Sequence, residues 1–90
     1  MSDVSRTVTL MNRRGLHARA SAKFVTLASG LPTAVEVEKD GSRVAGTSIM
    51  GLMMLGAACG DTITIHASGD GADAALASLA RLVEDRFGED

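Results

Sequence analysis

Tryptophan and tyrosine are absent from this chain of 90 residues, and its only aromatic side chains are Phe24 and Phe87. A hydrophobic content of 46% still supports a core, which must be assembled from Val, Leu, Ile, Met and Ala. The same shortage removes the stacking platforms on which single-stranded nucleic acids are bound, and a net charge of -2 removes the field that draws a polyanion. A single cysteine, Cys59, excludes an internal disulfide; with Ala57 and Ala58 beside it, a packed, inert thiol in reducing surroundings is expected. Histidines and a cysteine so few and so scattered have no ligand spacing, so neither a metal nor a cofactor is anticipated. The opening MSDVSRTVTL lacks the basic-then-apolar layout of a signal peptide. The uncharged stretch from Ala45 to Gly60 is interrupted by Gly46, Gly51 and Gly56 and is too short to cross a bilayer. The expectation is a cytoplasmic monomer without membrane insertion or nucleic-acid partner, folded as one domain over residues 1–90.

Acidic residues are missing from one region in particular. None lies between Val4 and Val35, where Arg6, Arg13, Arg14, Arg19 and Lys23 all fall; of the 11 acids, all but Asp3 lie from Glu36 onward. A nearly neutral chain has thus gathered its positive field around the stretch Gly15–Ser21, GLHARAS, which is what a site for an anion requires.

Within that stretch Gly15 permits a tight turn and Leu16 is an apolar anchor. A helical pattern starts at Ala18 and runs to Ala28, before Ser29, Gly30 and Pro32 end it. His17 therefore falls at or beside the N-cap, a position usually held by Ser, Thr, Asp or Asn. An imidazole there leaves free amides beside a nucleophilic nitrogen, so an anion attached to that nitrogen finds donors waiting. Arg19 adds a fixed charge with forked donors. Most histidines in small proteins have no chemical task, and the heptad alone leaves that reading open; the segregated charge favours the site. No catalytic base is expected beside His17, because the acids lie in other segments.

Taken in order, Val4 to Met11 alternates as a half-buried strand, with Val4, Val8 and Leu10 inward. The helix Ala18–Ala28 carries a stripe of Ala18, Ala22, Val25 and Ala28 or Ser29, widened by Phe24 and Leu27. Ala34 to Glu38 is a second strand with Val35 and Val37 inward, and Asp40-Gly41 turns the chain into a third over Ser42–Ala45. Thr47 or Ser48 opens a short helix, Ile49 to Leu55. Thr62 to Ala67 is the fourth strand, with His66 outward as surface filler. Asp70 is the candidate cap of a last helix from Ala72 to Phe87. The string βαββαβα predicts one four-stranded sheet with helices on one face. It leaves strand order open, and a ferredoxin-like arrangement satisfies it equally.

The second distinctive stretch is Thr47–Gly56, TSIMGLMMLG. Leu52 and Leu55 read as core. A helix this short cannot bury every side, so some of Ile49, Met50 and Met53 are expected to face solvent, where adaptable side chains suit several partners in turn. Lys23, on the outer face of the first helix, is expected to join them in docking. Ser48 is a cap, and a phosphate placed on it would be tolerated by the helix while setting negative charge beside an apolar patch.

GLHARAS followed by TSIMGLMMLG on a βαββαβα chain of this size resembles HPr, the histidine phosphocarrier family of the bacterial phosphoenolpyruvate-dependent phosphotransferase system. The resemblance covers essentially the whole chain. It implies an α+β fold, a two-layer open-faced β-sandwich with an antiparallel sheet of order 1-4-2-3 and three helices on one face. It implies a carrier rather than an enzyme, with His17 accepting a phosphoryl group on Nδ1 from enzyme I and passing it to an enzyme IIA domain. Arg19 matches the arginine that accompanies that group. Ser48 matches the serine modified in regulated members by an HPr kinase/phosphorylase. Sugar uptake and a nitrogen-linked regulatory relay both occur among such proteins. One departure is Ala20, where the family commonly has proline; proline in a first helical turn forfeits no hydrogen bond, so Ala20 folds as well and adds a free N–H. Two rivals stand beside the carrier: a regulatory module acting through phosphorylated Ser48, and a ferredoxin-like ligand-binding domain that is never phosphorylated.

Overall fold

A computed structural model describes residues 3–89. The elements are β1 (Asp3–Thr9), α1 (Ala18–Ser29), β2 (Ala34–Lys39), β3 (Ser42–Ala45), α2 (Ile49–Met54), β4 (Thr62–Ser68) and α3 (Ala72–Glu84). The strands form one sheet in the order β1-β4-β2-β3, with every neighbouring pair antiparallel, which settles the order that the string of elements left open. The register sets Val8 opposite Ile63, Val37 opposite Ile65 and Val35 opposite Ala67, so the alternating apolar residues meet on one face. That face is closed by the helices. α1 contributes Ala20, Ser21, Phe24 and Ala28, and α3 contributes Ala72, Ala75, Leu76, Leu79, Ala80 and Val83. The hairpin between β2 and β3 turns through Asp40 and Gly41, both at positive φ, as a two-residue connection of this hand demands.

Several expectations need correction. β1 ends at Thr9, because the backbone of Leu10 bonds instead to Asp61 and Gly60 and leaves Met11 exposed. Ala18 is exposed: the buried stripe of α1 is centred on Phe24 and includes polar Ser21, whose hydroxyl donates to the Leu16 carbonyl, so hydropathy alone misplaced it. Cys59 is exposed rather than packed, since it lies in the turn before β4, where only Ala57 of its small neighbours is buried. Gly71, left-handed at φ 82°, caps α3 in place of Asp70 and contributes no side-chain bond. α3 stops at Glu84, and Phe87 reaches the core from a separate turn, Arg86–Gly88.

Candidate functional site

The loop from β1 to α1 is pinned from two sides. Gly15 has φ 62°, and a Cβ there would lie 2.3 Å from the Ala57 carbonyl oxygen; the Leu16 amide donates to that same oxygen at 3.0 Å. Asn12, fully buried, donates from Nδ2 to the Gly15 carbonyl at 2.8 Å. These contacts fix the direction in which the chain enters α1. The N-cap is His17, in extended conformation, and its carbonyl accepts the first helical bond from the Ser21 amide at 2.9 Å.

The imidazole is held by both nitrogens. Nδ1 accepts from the backbone N–H of Arg19 at 3.3 Å, filling the capping role usually given to a side-chain oxygen. Nε2 lies 2.8 Å from Oε1 of Glu89, which also accepts from Asn12 Nδ2 at 3.0 Å. An amide can only donate and a carboxylate can only accept, so the partners assign the proton to Nε2 and the lone pair to Nδ1. The donations from His17 and Asn12 hold the Glu89 carboxyl below the usual carboxylate range. A shallow depression opens beside the ring, lined by Arg13, Arg14, His17, Arg19 and Glu89. Among the described residues no carboxylate is within ion-pairing distance of Arg13, Arg14 or Arg19. Their charge is available to an incoming anion.

The second stretch lies alongside, since α2 packs against α1. The Ser48 hydroxyl accepts from the Gly51 amide at 3.0 Å and caps α2. Leu52 and Leu55 are buried, whereas Ile49, Met50, Met53 and also Met54 are exposed, Met50 at 70% and Met54 at 80%. Lys23 is exposed on α1, with its ammonium donating to the Phe87 carbonyl at 2.6 Å. His66 faces the uncovered side of the sheet, as expected, but is half-buried and 2.8 Å from Glu38.

Residues 4–85 match the family model described as the PTS HPr component phosphorylation site. This chain belongs to the HPr family. The phosphocarrier protein HPr of Cupriavidus necator is 42% identical over 86 residues, covering 96% of this chain and 97% of the relative. The phosphocarrier protein NPr of Shewanella violacea is 38% identical over 89 residues, covering 99% and 98%. The crystal structure of HPr-C-His from Thermoanaerobacter tengcongensis superposes with a TM-score of 0.89 at 41% identity, covering 100% of this chain and 99% of the other. The chain is thus a member of a phosphocarrier family, with the HPr fold throughout. Among the described residues, no helix is long and apolar enough to cross a membrane.

Two residues of the site were not anticipated from sequence. Glu89 is 72 positions from His17, and nothing in its surroundings, DRFGED, marks it as a partner. Asn12 reads as an ordinary turn residue until its burial is known.

Proposed function

We propose that this HPr-family chain carries a phosphoryl group on Nδ1 of His17, accepting it from phosphorylated enzyme I and yielding it to an enzyme IIA domain, as a monomeric cytoplasmic domain over residues 1–90. The observation that supports this reading most strongly is the cap itself: an unprotonated imidazole nitrogen, engaged only by the Arg19 amide, at the N-terminal end of α1, in a depression lined by Arg13, Arg14, Arg19 and Glu89, the three arginines without a carboxylate partner among the described residues. The Nδ1 lone pair attacks phosphorus while the bond to the donor's histidine breaks, and the phosphoryl oxygens then take the amides of the first turn, Arg19 and Ala20, with the macrodipole favouring their charge. The Arg19 guanidinium adds forked, charge-assisted donors. A half-open site with few donors suits a carrier, which must release the group as readily as it takes it.

Ile49, Met50 and Met53, with Lys23, form the docking surface for both partners in this reading. Ser48 is its switch: a phosphate there, added by an HPr kinase/phosphorylase, sets about two negative charges beside the methionines. The same chemistry serves a sugar-uptake or a nitrogen-linked branch. Incubation with phosphoenolpyruvate and enzyme I, followed by intact mass measurement, should add one phosphoryl group that is lost in acid and never appears on His17→Ala. A wild-type protein that stays unlabelled beside a control HPr that charges would overturn the proposal.

A further inference from the structure

The segment Asp85–Glu89 is built in a way that core packing alone does not require. After α3 the backbone enters the left-handed region at Arg86 (φ 58°), Phe87 (φ 55°) and Gly88 (φ 74°), and only the last of these is glycine. L side chains disfavour that region, and successive residues in it persist only where the surroundings over-determine them. The over-determination is visible. Phe87 is buried in the core, the Lys23 ammonium holds its carbonyl, and the Gly88 and Glu89 amides close back onto Asp85 and Arg86. The outcome is that the Glu89 carboxylate is returned to the His17 ring.

Asn12 tightens the arrangement. Its side chain is fully buried, both Nδ2 hydrogens are spent on Gly15 and Glu89, and its Oδ1 is buried without a partner among the described residues. A buried amide that leaves its own acceptor unsatisfied is retained for its donors. One donor fixes the turn before His17 and the other fixes the carboxylate beside it.

We infer that Glu89, delivered by the Arg86–Gly88 turn and oriented by Asn12, is a positioning residue for phosphoryl transfer: it keeps the ring proton on Nε2 and balances the charge the ring acquires when Nδ1 is phosphorylated. The inference rests on the carrier reading of His17. In the acceptance step the Nδ1 lone pair forms the new N–P bond, and the P–N bond of the donor's phosphohistidine breaks with its electron pair returning to the donor ring. No proton leaves Nδ1, because none is there. The proton on Nε2 stays, the phosphorylated ring carries a positive charge, and the Glu89 carboxylate lies 2.8 Å from that edge. Its own charge faces the edge of the ring away from the incoming phosphoryl group. On return transfer the same carboxylate keeps Nδ1 the leaving nitrogen. The logic is that of the buried aspartate that orients a catalytic histidine in hydrolases, with the carboxylate holding tautomer and charge without becoming protonated.

The test uses the full chain with Glu89→Ala and Glu89→Gln. In the unmodified protein, NMR should detect a downfield, slowly exchanging Nε2 proton on His17; Glu89→Ala should lose it, and Glu89→Gln, which still offers an acceptor oxygen, should retain it. With phosphorylated enzyme I as donor, Glu89→Ala should lower kcat about tenfold, the scale of one charge-assisted hydrogen bond in a half-open site, with KM within about twofold. Glu89→Gln should recover part of that loss. A Glu89→Ala variant that keeps both the ring-proton signal and the wild-type kcat would overturn the inference, as would a change in KM alone. The proton measurement needs no enzyme I. A wild-type chain that shows the signal but takes no phosphoryl group would therefore fail the carrier reading, not the contact between Glu89 and His17.

Discussion

Placing an imidazole at the N-cap of α1 changes what that helix end offers. Serine or aspartate would satisfy the Arg19 amide and be inert; His17 satisfies it through a nitrogen that is also a nucleophile. The position depends on Gly15, where left-handed backbone and the Ala57 carbonyl together leave no room for a methyl group. Gly15→Ala should therefore lower stability by about 2–4 kcal/mol, measured by urea denaturation; a change under about 0.5 kcal/mol would show that the loop can relax away from Ala57. The Glu89 contact has a pH signature of its own. Donation from His17 and then from Asn12 lowers its carboxyl from the ordinary 4.5, so the contact stabilises the folded chain above that value and is lost as pH falls through the lower folded-state value. The carboxyl carbon shift of Glu89, followed by NMR, should titrate with a midpoint below the ordinary 4.5; a midpoint at or above it would contradict the contact.

Among the elements, α2 separates two kinds of change. Ser48→Ala removes the bond to the Gly51 amide and should cost about 1 kcal/mol of stability, whereas Ser48→Asp retains a good cap. Stability curves for the two variants should differ accordingly. In the proposed docking reading, Ser48→Asp keeps the fold yet weakens acceptance from enzyme I, and unchanged transfer kinetics would count against an apolar interface at Ile49, Met50 and Met53. The elements were also the most legible part of the chain. Strict alternation marked Val35 and Val37 in β2 and Ile63, Ile65 and Ala67 in β4, and Asp40-Gly41 marked the hairpin. What misled was local chemistry overruled by tertiary contact. Ser21 is buried because Leu16 offers it a carbonyl, Asp70 loses the cap to a left-handed glycine, and Phe87 leaves the helical pattern to reach the core through a turn. Periodicity carries no information about such exchanges.

Seen across the whole molecule, the site is assembled from segments that the sheet and helices bring together: the loop after β1, the start of α1 and the turn after α3. The charge segregation and the GLHARAS stretch made the local half of it readable from sequence. The other half, Asn12 with Glu89, depends on an antiparallel return of the chain that no spacing encodes. Phe87 couples that half to the core. Phe87→Ala should destabilise the protein by about 3–5 kcal/mol in thermal or chemical unfolding, and in the folded fraction it should free Glu89 from the His17 ring; a smaller loss would mean that the turn is held by Lys23 alone. The proposed carrier function stands on which atom takes the phosphoryl group. Charging the protein with enzyme I and phosphoenolpyruvate and recording nitrogen-15 and phosphorus-31 spectra of the product identifies that atom directly. The predicted result is a single phosphoryl group bonded to Nδ1 of His17, with the proton on Nε2 retained. Phosphorus on Nε2, where it would have to displace Glu89, or on any residue other than His17, would contradict it.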